Sequence, residues 1–411
     1  MRKIGILWDD SHIWGLMALR AIDALGFVPR LLKAAYIARN GLYGNGDTTL
    51  VVPGGRARAK AAALGELGLA NIRSFVAGGG LYLGFCGGAG LALTPRHGEI
   101  GLGLCPWQRG EYPRRLLHLI SGDLLSSIHL DGGDILAPLP VWWPGRFAPV
   151  PGAPVRTLAQ SQNVGEDFWL ADIRAAHVPP RVLRMWCENQ GLGLDYLAGR
   201  PLVIDGNYGK GHYILSYAHL ETPQSPFANA WLAALLGAAC EKEARTSLVP
   251  AWAPEHAGGN FRPCAGAIPE MAAQTLSRME KLFRLGVELR LFFQRSGWLF
   301  GWRAGFAGLG CNSLRLGLAH LAQSRPGNAA ASFWEARQEN FSRAAEEFFE
   351  RAEDALWNLR LENTLEAKPG SLAGDTREIF GHPMLGGGLI GSLLDVVYEL
   401  IYLNQANRQD R

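Results

Sequence analysis

No stretch of this chain gathers lysine and arginine into a run, and charged residues make up only 19% of it. With a formal charge of +3 over 411 residues, the composition marks neither nucleic acid nor an acidic membrane surface as a partner. The six cysteines (Cys86, Cys105, Cys187, Cys240, Cys264, Cys311) are far apart and form no C-x-x-C pair. That spacing argues against a zinc site or a disulfide framework and fits a reducing, cytoplasmic setting, with no metal and no cofactor expected. The first residues, "MRKIGILWDD", reach acidic side chains after one short apolar run. They read as a β-strand rather than a signal peptide or a membrane span. Internal repeats and low-complexity tracts are missing too.

What is present is an ordinary globular composition, 48% hydrophobic, on a chain too long for one typical core. Through about residue 93, short apolar runs alternate with helical patterns. "KIGILW", "FVPRLLKA", "TTLVVPGG" and "GLYLGFC" read as strands, and Ser11 is placed to cap the first helix. Strands separated by helices of this length predict a doubly wound parallel sheet. Catalytic loops of such sheets lie beyond the carboxyl ends of the strands. Residues 94–200 are proline- and aromatic-rich and read as loops and edge strands. "RPLVIDGNYGKGHYILSYAHLETP" restores strands, and a helix closes the domain near residue 240. The expected division is an α/β domain over 1–240, a linker over 241–268 and a helical domain over 269–411. The helical domain includes one long helix from Ala329 to Leu361, ~50 Å at 1.5 Å per residue.

Three short elements carry chemistry. "GFCGG" (Gly84–Gly88) has the form G-x-nucleophile-x-G, in which a strand turns straight into a helix and the central side chain projects from the sheet edge. The helix start behind Cys86 favours a thiolate. A thiol nucleophile needs a base and a group to orient that base. "SYAHLETP" offers His219 at a strand end with Glu221 two residues on, the same side of an extended segment. "VVPGGR" (Val51–Arg56) follows a strand with a turn whose N–H groups, with that of Gly87, could stabilise an oxyanion.

Together these elements resemble the class I glutamine amidotransferase-like superfamily. "LVVPGGR…NIRSFVAGGGLYLGFCGGAG" looks most like the N-terminal domain family named for biotin-protein ligases, over roughly residues 1–240. The resemblance implies a flavodoxin-like α/β fold with Cys86 as nucleophile, His219 as base and Glu221 as orienting acid. Gly55 and Gly87 would form the oxyanion hole. The chain departs from glutaminases of this class, whose G-x-C-x-G-x-Q motif ends in a glutamine that shapes the substrate pocket. Here that position is Gly90. It carries no "GRGRxGRxW" adenylate loop, no "MKM" biotinyl site and no P-loop or synthetase motif.

These features predict a cysteine-dependent amidase or hydrolase acting on a small-molecule substrate and poor with free glutamine. Two other functions follow from the same residues: a non-catalytic binding module that keeps the elbow, and a subunit delivering ammonia to a separate synthetase. Arg56 and "PVWWPGRF", with Trp142, Trp143 and Arg146, are candidate pocket residues, although a plain hydrophobic edge strand accounts for the aromatics more readily. The helical region suggests a homodimer contact. Its Cys311 and His382 have no partners at metal-ligand spacing.

Overall fold

The computed structural model describes residues 3–42, 47–111, 120–130, 133–190, 198–252, 263–303, 306, 308–366, 368, 370, 376–382 and 386–409. The chain divides into two compact units, Met1–Pro250 and Ala251–Arg411. The break falls inside the stretch expected as linker, of which residues 253–262 lie outside the described residues.

The first unit begins with β1 (Lys3–Leu7), α1 (His12–Ala24), β2 (Pro29–Leu32), α2 (Ala34–Asn40), β3 (Asp47–Val52), α3 (Ala57–Ala77), β4 (Leu81–Phe85) and α4 (Gly87–Ala92). It continues with β5 (Gln108–Arg109), β6 (Ile120–Leu130), β7 (Gly133–Trp142), β8 (Phe147–Ala148), β9 (Val155–Leu170) and β10 (Ile173–Arg174). Helix α5 (Pro180–Gln190), β11 (Arg200–Tyr208), β12 (Gly211–Ser216) and α6 (Pro226–Cys240) complete it. The sheet runs β2-β1-β3-β4-β12-β11-β9-β6-β7. Its first five members pair in parallel, the order of a flavodoxin-like doubly wound sheet. Buried runs such as Leu50, Val51 and Val52 explain why: strands covered on both faces read as continuous apolar stretches.

The other half of the sheet is antiparallel, and only its edge-strand character was expected. Strands β9, β6 and β7 lie side by side in that order, antiparallel throughout, and β9 joins the parallel half through β11. Alternation is broken there by bulges and by Pro138 and Pro140, which sit on the edge strand β7, where a missing N–H is tolerated. Ser11 also departs from expectation. It precedes α1 without capping it, and its hydroxyl donates to the Leu7 carbonyl at 2.9 Å instead.

The second unit contains α7 (Ala267–Glu288), β13 (Phe292–Gln294), β14 (Phe300–Trp302), α8 (Gly308–Ala322), α9 (Asn328–Glu335), α10 (Gln338–Thr364), α11 (Arg377–Phe380) and α12 (Gly388–Gln409). It is helical apart from the short β13–β14 hairpin. The single helix expected over Ala329–Leu361 is two helices, α9 and α10, broken at Ala336–Arg337. The spacing predicts one apolar face of Phe341, Ala345, Phe348, Ala352, Ala355 and Leu359; the first five are buried on α10, and Leu359 is only half-buried. No described helix is long and apolar enough to cross a membrane.

Candidate active site

Strand β4 ends at Phe85 and α4 starts at Gly87, leaving Cys86 alone at the junction. Its backbone lies at φ 47°, ψ −102°, in the left-handed half of conformational space that L-residues avoid. The Cys86 N–H donates to the Ser216 carbonyl at 2.7 Å, so β12 anchors the turn. Crowding dictates the glycine after it: a Cβ on Gly87 would come within 1.9 Å of the Gly55 carbonyl oxygen. Gly90 differs. A Cβ there would meet only Ala57 Cβ, at an ordinary 3.6 Å, so close packing does not require glycine where glutaminases carry glutamine. Helix α4 has only six residues, so its dipole is slighter than the sequence suggested.

His219 and Glu221 are fully buried and joined at 2.7 Å, Nδ1 to Oε1. They lie past the end of β12 in a turn closed by the Thr222 N–H on the His219 carbonyl, at 3.0 Å. The turn brings the two side chains together where the sequence invoked an extended segment. It is held from both sides: the His219 N–H donates to Pro140 on β7 at 2.8 Å, and buried Asn229 on α6 donates to the carbonyls of Leu220 and Thr222. Burial alone would lower the proton affinity of His219. The Glu221 carboxylate and then Cys86 outweigh it, raising the imidazole to about 10. Nε2 makes no hydrogen bond among the described residues, and Cys86 is one of the groups that raise the imidazole. A proton leaving the thiol would be held firmly there.

The Pro53–Arg56 turn sits against the elbow. Gly55 adopts φ +114°, and a side chain there would strike the Asp10 carbonyl at 2.1 Å. Among the described residues, its N–H makes no backbone bond, and that of Gly87 stands at the first position of α4, where no intrahelical acceptor exists. The Cys86 sulfur also faces the carbonyls of Trp142 and Trp143, at 4.0 and 3.9 Å. Trp143 is itself left-handed at φ 52°. Trp14 spans the site, with ring centroids 4.7 Å from His219 and 5.8 Å from Trp143.

The pocket residues expected from sequence are only partly brought together. Trp142 and Trp143 do reach the sulfur, through their carbonyls, while the Trp142 indole donates to Thr222 at 3.0 Å. The Arg56 guanidinium is paired with Asp10, and Arg146 stands at the corner between β7 and β8, its carbonyl accepting from Gly110 at 2.6 Å.

Two neighbours of the site escaped the sequence reading. Trp14 lies on a wholly buried stretch of α1, where its ring could not be told from core. Lys60 is fully buried on α3. Lys60 stands one turn before buried Leu64, but no continuous stripe from Gly68 and Ile72 announces it, because α3 breaks from helical geometry at Gly65 (φ 59°, ψ −175°). Among the described residues no group of three or more His, Cys, Asp or Glu side chains is placed to hold a metal ion.

A family model described as biotin-protein ligase, N terminal, matches residues 40–94, in agreement with the resemblance drawn from the motifs. The match contains the Pro53–Arg56 turn and the Cys86 elbow, and His219 and Glu221 lie beyond it. Among solved structures, PurLQS from Thermotoga maritima is 13% identical, with a TM-score of 0.36 over 55% of this chain and 91% of its own. A proposed GMP synthase subunit from Thermoplasma acidophilum is 12% identical, with a TM-score of 0.37 over 59% of this chain and 95% of its own. The β-galactosidase from Bacillus circulans is 14% identical at a TM-score of 0.33, over 58% of this chain and 31% of its own. No curated protein matches the chain.

Proposed function

We propose that this protein is a cysteine-dependent acyl-transfer enzyme of the amidase or hydrolase type, acting on a small amide and poorly on free glutamine. The observation that carries this is a strained Cys86 facing a buried His219–Glu221 pair whose outer nitrogen has no hydrogen-bond partner among the described residues. Cys86 Sγ attacks the substrate carbonyl carbon with its proton already resting on His219, whose imidazole is raised to about 10. The carbonyl electron pair moves onto oxygen, which the N–H groups of Gly55 and Gly87 receive. Collapse expels the amine with the proton from His219, and water then hydrolyses the thioester by the same proton path. Glu221 holds the imidazolium by Nδ1 and so keeps Nε2 toward the reacting atoms, without accepting the proton itself.

Gly90 leaves the floor beside the nucleophile without a side chain. A site lacking a designed polar contact gives up orders of magnitude in discrimination. The test pairs mapping of thiol labelling with turnover assays. Iodoacetamide near neutral pH should label Cys86 ahead of the half-buried Cys240 and Cys264, with Cys311, whose thiol burial pushes up to about 12, inert. Glutamine should release ammonia no faster with wild type than with Cys86→Ala. Cys86-dependent glutamine turnover at ~1–1000 per second would overturn the poor-glutaminase part and favour an ammonia-supplying role beside a synthetase. A second function, a binding module without chemistry, draws on the Trp142 and Trp143 carbonyls, which can take up the thiol S–H. Unlabelled Cys86 would favour it.

A further inference from the structure

Lysine is almost never fully buried without a carboxylate partner, yet Lys60 has no exposed surface and no carboxylate in ion-pair contact among the described residues. Its ammonium donates to two neutral oxygens, the Asp9 carbonyl at 2.9 Å and the Ser11 hydroxyl. Two carboxylates stand nearby and both are engaged elsewhere. Asp9 accepts the Ala34 N–H at 2.6 Å, and Asp10 accepts the Arg56 N–H at 2.9 Å together with its guanidinium. The loop so held is strained, with Asp10 at φ 52° and His12 at φ 39°. It is also part of the oxyanion turn's wall, because the Asp10 carbonyl is what forbids a side chain at Gly55. Lys60 Cε lies 3.3 Å from where that side chain would begin.

From this geometry we propose that Lys60 is a positioning residue for the Cys86 site: it clamps the Asp9–Ser11 loop against Gly55, and its buried charge, behind the oxyanion turn, favours negative charge in front of it. The inference rests on the acyl-transfer function proposed above and adds to it the residue that sets the local field. The charged groups facing Lys60 are Asp9 and Asp10 from the loop after β1, Arg56 at the start of α3, and Cys86 at the elbow. Desolvation lowers the proton affinity of the lysine more than Asp10 and Asp9 restore it, leaving its midpoint at about 7. The field is therefore present in mildly acid solution and fades as pH rises. A plain structural staple has no such dependence.

The experiment measures the rate of Cys86 alkylation by iodoacetamide from about pH 5.5 to 9 in wild type, Lys60→Met and Ser11→Ala, with the other cysteines as internal references. Lys60→Met should be about tenfold slower than wild type near pH 6, a difference equal to one pKa unit of lost charge stabilisation. That ratio should close toward unity as pH passes about 7, where the wild-type lysine gives up its proton. Ser11→Ala, which removes one of the two oxygens that accept from the ammonium, should move the pH at which the rate responds to Lys60 to a lower value. Should Lys60→Met fail to fold, the ε-carbon resonance of Lys60 in ¹³C-lysine wild-type protein decides instead. A midpoint near 7 supports the proposal, and one at the ordinary 10.5 overturns it. A constant Lys60→Met ratio across the range overturns the field role while leaving Cys86 a reactive nucleophile. A wild-type Cys86 that does not react at all removes the proposed function and this inference together.

Discussion

Each unit of the chain buries a cation, and the two are treated in opposite ways. In the helical unit, Arg315 on α8 is 5% exposed and fully answered: its Nε donates to Glu280 at 2.6 Å, and its guanidinium stacks 4.9 Å over Phe300. In the α/β unit, Lys60 is more deeply buried and is given only a carbonyl and a hydroxyl. Arg315 pins α8 to α7 through Glu280. Lys60 sits behind the elbow holding a charge that the interior discourages. A planar guanidinium suits permanent pairing, whereas a lysine ammonium changes its protonation readily when desolvated. The difference separates a cation retained for packing from one retained where charge has to be adjustable.

The largest expected effect breaks the answered cation. Removing one partner of a buried pair leaves the other charge uncompensated, at a cost of ~3–5 kcal/mol. Glu280→Ala should reach the lower end of that range, since Glu280 keeps 14% exposure. Urea unfolding followed by a probe in the helical unit would measure it. A loss below ~1 kcal/mol, the worth of a surface pair, would place Arg315 in the same class as an ordinary rim cation and dissolve the contrast.

A smaller effect appears in the pH dependence of stability, where His219 and Lys60 act in opposite senses. His219 is raised from 6.5 to about 10, so its contribution is fully present below 6.5 and is lost as pH rises through about 10. Lys60 is lowered from 10.5 to about 7, so the fold carries a penalty that is full below about 7 and fades toward 10.5. Between about 7 and 10 the unfolded chain binds one more proton at Lys60 and one fewer at His219, and the two slopes cancel. Wild-type stability should be nearly flat there on their account. Lys60→Met should instead lose stability as pH rises, by ~1.4 kcal/mol per unit. Chemical denaturation of both proteins across that window checks it. Parallel curves would mean that Lys60 is as freely protonated as a surface lysine.

How much of this was legible in the sequence follows from the range of the forces involved. The parallel half of the sheet could be read because each strand and helix is specified by its own local pattern, and glycines mark the elbow and the Pro53–Arg56 turn. The antiparallel part could not, because bulges and the prolines of β7 break the alternation that would have advertised its strands. Within the site, His219 and Glu221 stand two residues apart and reveal themselves. Lys60 belongs to a run of charged and small residues, "RARAKAAALG", that resembles a solvated helix start. Only the loop after β1, folding over it from far upstream, turns it inward.

The smallest effect concerns a third cation, Arg56, which lies between the other two in kind and was itself a candidate for the substrate pocket. Its side chain is 42% exposed and pairs with Asp10, whose carboxylate also accepts the Arg56 N–H at 2.9 Å. Arg56→Ala removes the guanidinium and leaves that backbone bond in place. At such exposure the pair is worth under ~1 kcal/mol, so unfolding should barely register the change. The informative readout is Lys60. Arg56 repels the buried ammonium while Asp10 attracts it, so deleting the guanidinium should raise the Lys60 midpoint above about 7. In the ¹³C titration that appears as an upward move of one resonance with the unfolding curve unchanged. If the midpoint stays fixed, Lys60 is insulated from its charged neighbours, and its protonation is set by desolvation alone. If stability falls by several kcal/mol, Arg56 is an answered cation like Arg315, and the line drawn between buried pairing and adjustable charge runs through the wrong residue.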